Sequence, residues 1–215
     1  MATFGRASRE AGKATRQTLL RAAAEVFAEQ GGHGIGRPDL SARRRYPNQV
    51  TYYFGSKEQL FVEVACVGVL RAGRRAEEAA AGTTTVRDYT NTLVGTLLGP
   101  PCARDVELFT TAMLLTARRT DLREHITDTL RTLHERGEQA LMSTLVRTGW
   151  KLRAGGIDVE AKAFWSAIFG LAVQKAATGA DFGYRLEDAV AVIFTNLQIP
   201  DRVLDRPLVP TSQEA

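Results

Sequence analysis

Apolar residues recur at helical spacing along most of this chain, and no stretch alternates with the period of two that marks a strand. Over residues 13–30, Leu20, Ala23, Ala24 and Phe27 follow the i, i+3, i+4, i+7 pattern of one buried helical face, and Gly31-Gly32 supplies the stop. Pro38 suits the first turn of a short helix running to 44, and Pro47 opens a second short helix ending near Phe54. Ser56-Lys57-Glu58-Gln59 has the form of a capping box, so a new helix starts there and carries Leu60, Phe61, Val64 and Ala65 toward Arg75. Residues 76–84 read as a soft join. Thr85 with Asp88 caps a helix to 98, which Gly99-Pro100-Pro101 breaks. Further helices are expected over 104–117, 121–148, 158–178 with Asp158 as N-cap, and 186–197. The expectation is an all-α protein of about nine helices. Residues 1–55 form a first unit, 56–76 a connecting helix, 77–200 a second unit and 201–215 a disordered tail.

Two of these helices are apolar almost all round. One carries Ala163, Phe164, Trp165, Ala167, Ile168, Phe169, Leu171, Ala172 and Val173; the other carries Leu186, Ala189, Val190, Val192, Ile193, Phe194 and Leu197. Such helices must be covered on more than one side. The longest apolar run, 164–173, is far too short to span a bilayer. Residues 1–13 are charged and lack the apolar stretch of a secretory signal; residues 1–12, with Arg6 and Arg9, read as an unstructured tail. Cys66 and Cys102 lie in apolar surroundings without a CxxC partner, as reduced core thiols of a cytoplasmic protein do.

Charge changes the picture. The formal net charge of +4 is unevenly spread: residues 1–75 carry 13 Lys and Arg against 6 Asp and Glu, and the remainder 15 against 18. A basic first third is the electrostatic footprint of a polyanion partner. Three helices, the last two short and joined by a tight turn, make a helix-turn-helix arrangement whose second short helix enters the major groove of double-stranded DNA. There Pro47 sets the helix start, Asn48 and Gln49 can bond an adenine edge bidentately, and Thr51 can donate, accept or touch a thymine methyl. Tyr52, Tyr53 and Lys57 are placed for phosphates, and Arg37, Arg43, Arg44, Arg45 and Tyr46 add charge and polar surface beside the groove. Enzyme chemistry finds no support: there is no GxxxxGK, no HExxH, no nucleophile elbow, and no cofactor or metal motif. His125 and His134 lie nine apart on one helix, too far apart along its axis for a metal pair, and read as surface histidines.

The chain resembles the TetR family of bacterial transcriptional repressors. The resemblance rests on Leu19-Leu20-x-Ala22-Ala23-x-x-x-Phe27-x-x-x-Gly31, on Asp39-Leu40-Ser41, and above all on Tyr52-Tyr53-Phe54-Gly55-Ser56-Lys57-Glu58-Gln59-Leu60. It implies that Tyr52, Tyr53 and Lys57 contact phosphates. It also implies a homodimer formed by the last two long helices, with Phe164, Ile168, Leu171, Val190 and Phe194 as interface candidates. The helices between would enclose a pocket for a small, largely apolar effector, with Phe109, Met113, Trp150, Trp165, Phe169 and Gln174 as candidate contacts. The function implied is a repressor that binds a palindromic operator and is released by its effector; the alternative is a helical interaction protein that keeps the fold without reading an operator. The chain departs from the family in the turn, where Arg44-Arg45-Tyr46 stands in place of the usual glycine and one residue is missing. That moves the expected register of the base-contacting residues by up to one position.

Overall fold

The computed structural model describes residues 3–30, 47–148, 156–179 and 185–208. Among these are nine α-helices, one 3-10 turn (Thr120–Leu122), and a single isolated bridge between Thr85 and Pro207. The helices are α1 (Thr3–Gln30), α2 (Pro47–Phe54), α3 (Lys57–Ala80), α4 (Val86–Leu98), α5 (Cys102–Thr116), α6 (Arg123–Thr148), α7 (Ile157–Thr178), α8 (Leu186–Asn196) and α9 (Asp201–Leu204). None of them is long and apolar enough to cross a membrane. The short helix expected over 38–44, and the turn after it, lie outside the described residues.

The central element is α3. Leu60, Phe61, Val62, Val64, Ala65, Val69, Ala72 and Ala76 are all buried, because α1, α4, α5 and α6 pack around it. Its start is local chemistry: Ser56 accepts a hydrogen bond from the Gln59 backbone N–H at 3.1 Å, satisfying one of the helix's orphan donors. Gly55 sits at φ +70, a left-handed conformation that suits glycine, and lets α2 turn directly into α3. Small residues on α3 permit close packing. Gly73 brings its backbone against the Trp165 indole, while a Cβ on Gly68 would come within 2.8 Å of Asp105, whose carboxylate Arg71 holds at 2.9 Å.

Local signals placed most helix ends. Thr85 accepts from the Asp88 N–H at 3.1 Å, as its spacing predicts. Four differences have identifiable causes. Helix α1 starts at Thr3 rather than near 13, replacing the expected tail; Arg6, Ala7, Arg9, Glu10 and Ala11 are mostly good helix formers. Helix α3 runs on to Ala80 because Ala76 and Ala80 are buried. At α7 the N-cap is Gly156, and Asp158 sits inside the first turn, paired with Lys162 at 3.0 Å. Finally, residues 201–208 are not a loose tail. Val203, Leu204 and Leu208 close over Val86 in a small second core, and the Leu208 N–H bonds the Thr84 carbonyl at 2.7 Å.

Candidate nucleic-acid interface and interior cavity

Helix α2 is tethered by its inward side. Phe54 is almost wholly buried, Val50 and Tyr53 pack against the core, and the Arg16 guanidinium lies 4.8 Å over the Phe54 ring. Arg16 also pairs with Glu63, and Phe27 meets Phe61 edge to face, so α1 and α2 are both fixed to the first half of α3. The outward side carries Thr51 and Tyr52, the latter 81% exposed and unusual for so large a ring on a folded surface. Tyr53 is half-buried, stacked edge-on against Tyr52 at 4.9 Å. Lys57 follows at the first turn of α3, partly exposed. By helical spacing, position 48 shares the stripe of Thr51 and Tyr52, and position 49 that of Tyr53. The side chains of Pro47, Asn48 and Gln49, and the residues Arg37, Arg43, Arg44, Arg45 and Tyr46, lie outside the described part.

The head, formed by α1, α2 and the first turns of α3, is joined to the later helices through polar links as well as through α3. Arg104 of α5 donates to the Phe27 carbonyl at 3.4 Å, and Arg119 approaches Glu58 at 3.8 Å.

Some 16 residues beyond Lys57, roughly 25 Å along the helix axis, α3 forms one wall of a cavity of about 80 Å³. Helices α4, α6 and α7 form the other walls, and Leu197 and Ile199 also line it. Leu93, Leu97, Leu141, Phe164 and Trp165 make it largely apolar. Trp165 is anchored: its indole N–H donates to the Leu133 carbonyl at 3.1 Å, and its ring stacks on Phe169 at 5.5 Å. The absence of a side chain at Gly137 leaves room for that approach, the Trp165 nitrogen standing 3.5 Å from where a Cβ would be.

Of the expected pocket residues, Trp165 alone lines this cavity. Phe109 is fully buried behind it against Phe169, and Met113 packs on the same core. Gln174 is exposed and donates to its own helix at the Gly170 carbonyl; Trp150 lies outside the described residues. Phe164, expected at a dimer interface, lines the cavity instead. Ile168, Leu171 and Val190 are buried within the single chain, and Phe194 is half-buried between its two cores. An all-round apolar helix gives no periodic cue to which stripe faces its own chain and which is left for a partner. His125 and His134 are half-buried rather than on the surface, and burial lowers the His134 pKa. Cys66 and Cys102 are buried and unbridged; burial pushes the Cys66 thiol up to about 11, so it stays protonated at neutral pH.

Sequence reasoning missed the polar groups of the cavity. Glu77 from α3, Tyr89 from α4 and Glu160 from α7 all line it. Burial raises the Glu77 pKa; Arg136 opposes the shift and Glu78 adds to it. Burial alone raises that of Glu160. Tyr89 is raised by burial first and by the Glu77 charge second, with Arg147 opposing. A signal for Glu160 was present: it stands four residues before Phe164 on an otherwise apolar helix, hence on the same face.

A carboxyl whose folded pKa is raised weakens the fold in its charged form, and the penalty fades as pH falls through the folded pKa toward the ordinary value of 4.5. Glu160→Gln is therefore expected to melt at a higher temperature than the parent at pH 8, with the gap closing near pH 4.5. An equal gap at both pH values in thermal melts contradicts this.

The C-terminal part, residues 86–194, matches the family model described as the C-terminal domain of a bacterial transcriptional repressor. A solved chain from Rhodococcus sp. RHA1, presented as a proposed transcriptional regulator, is 60% identical, with a TM-score of 0.79 over 89% of this chain and 99% of its own. A proposed TetR-family transcriptional regulator from Rhodococcus sp. shares the fold at 17% identity, with a TM-score of 0.63 over 88% of this chain and 98% of its own. A third, a transcriptional regulator from Rhodococcus sp. Rha1, has 17% identity and a TM-score of 0.62 over 91% and 99%. Among curated proteins none matches.

Proposed function

Because this chain belongs to the TetR family of transcriptional regulators, we propose that it is a cytoplasmic repressor that binds a palindromic operator as a homodimer and leaves it when a small molecule enters the cavity. The observation that carries this reading is the reach of α3. It holds α1 and α2 at one end and supplies Gly73, Ala76 and Glu77 to the cavity at the other. Thr51, Tyr52 and Lys57 meet the DNA, with Asn48 on the same stripe reading base edges. A cavity of about 80 Å³ is smaller than the ~300–1,000 Å³ of sites that hold drug-sized ligands, so an effector must part α3, α4, α6 and α7 to fit. Parting them moves α3 and with it the head. The effector thus favours an arrangement whose two heads no longer match the operator spacing, which is a population shift.

The dimer surface in this reading is the outward stripe of α7, namely Val159, Lys162, Ser166, Gly170 and Val173, with Ala191 and Thr195 of α8 beside it. Gly170 faces open space, where a Cβ would meet no atom within 4 Å, and two such helices can approach closely there. Gly170→Arg places a charge at the centre of that contact. The expected outcome is a folded monomer in sedimentation and loss of the two-protomer complex with DNA from the chain's own upstream region. A Gly170→Arg protein that remains dimeric and binds as the parent does would remove this surface from the account.

A further inference from the structure

The cavity walls carry a charge pattern that names a class of ligand. Its lining holds two carboxylates, Glu77 and Glu160, and no lysine, arginine or histidine among the described residues. The two acids sit on different helices, α3 and α7, and the rings of Phe164 and Trp165 on α7 and of Tyr89 on α4 line the same cavity. Among the described residues neither carboxylate takes part in an ion pair; Arg136 exerts attraction on Glu77 without closing a bridge, and Glu160 feels burial alone. An acid in an apolar wall costs stability unless a partner arrives. Aromatic faces and carboxylates together attract a cation, whereas an anionic ligand would meet like charge from both sides.

We infer that this cavity selects an apolar molecule bearing a protonated nitrogen, with the cationic group at Glu160 and the apolar body against Leu93, Leu97 and Trp165. This rests on the reading of the cavity as the effector site and adds the charge of the effector to it. Glu160 supplies the anionic partner; Tyr89 and Glu77 face the ligand from the opposite helices. Neutral apolar compounds of the same shape gain the hydrophobic contacts alone.

The test uses the full-length chain and three probes sharing a naphthalene body: naphthylmethylamine, naphthylmethanol and naphthoic acid. Binding is read by calorimetry and by quenching of tryptophan fluorescence at pH 7. The amine is expected to bind about tenfold tighter than the alcohol, and the acid more weakly than either. Glu160→Gln is expected to abolish the amine's advantage over the alcohol, with a far-UV circular dichroism spectrum like the parent's showing that the variant is folded. Should the acid or the alcohol equal the amine in the parent, the charge preference is overturned while the cavity still binds ligand. Should Ala161→Trp, which fills the cavity, leave the affinity of all three probes unchanged, or should none of them bind, the effector site itself is overturned, and the inference with it.

Discussion

Replacing Trp165 with alanine is expected to destabilise the fold by about 3–5 kcal/mol, the usual cost of deleting a large buried aromatic side chain. The position justifies the upper part of that range. Trp165 is 5% exposed, stacks on Phe169, meets Phe164 edge to face and lies against the backbone of α3 at Gly73. Its N–H bond to the Leu133 carbonyl ties α7 to α6. Trp165→Phe keeps most of the apolar contact and loses that bond, so a smaller loss of about 1–2 kcal/mol is expected. Urea unfolding monitored by circular dichroism measures both, being independent of the lost fluorophore. A loss below about 1 kcal/mol for the alanine variant would mean that Trp165 does not hold α7 against α6 and α3.

The second large effect concerns DNA. Lys57→Ala is expected to weaken binding to every duplex, operator or random, by about ten- to a hundredfold, since a charged contact to phosphate is worth about 1.5–3 kcal/mol and is blind to sequence. Asn48→Ala is expected to spare random duplexes and lower operator affinity, because position 48 shares the exposed stripe of Thr51 and Tyr52 and its amide suits an adenine edge. A competition titration over a set of single-base operator variants separates the two. If both substitutions scale every site by the same factor, the division between positioning and reading residues is wrong.

Much of the fold was legible in the sequence because the signals were local. Ser56 and Thr85 cap their helices through side chains three residues from the groups they satisfy. The Tyr52 to Leu60 segment is likewise short-range, with Gly55 making the turn and Phe54 anchoring α2. What was misread depends on distant partners. The segment 201–208 looked like a tail because its few apolar residues acquire a core only when Val86, more than a hundred residues earlier, meets them. Asp158 had the residue type of an N-cap, but the cap lies two residues earlier at Gly156, the helix begins at Ile157, and the Asp158 carboxylate goes to Lys162.

The candidate site shows the same division. Tyr52 and Tyr53 read alike from sequence as phosphate contacts, whereas Tyr52 is among the most exposed large side chains described and Tyr53 is half-buried. Of the candidate pocket contacts Trp165 lines the cavity; the others were not legible, since which face of α7 lines a cavity is decided by α3, α4 and α6 together. Glu77 and Glu160 were passed over because charged residues on helices usually face water. Phe109, expected at the pocket, is fully buried in the solid core behind the cavity.

Whether the basic, tyrosine-bearing N-terminal helices read DNA is decided by one titration. Fluorescence anisotropy of the full-length chain against a duplex from its own upstream region, and against a random duplex of equal length, is run from 50 to 200 mM salt. Preference for the upstream duplex is expected at every salt concentration, with affinity falling steeply as contacted phosphates release counterions. Equal affinity for both duplexes throughout that range would contradict it, leaving a helical interaction protein that shares the family's fold.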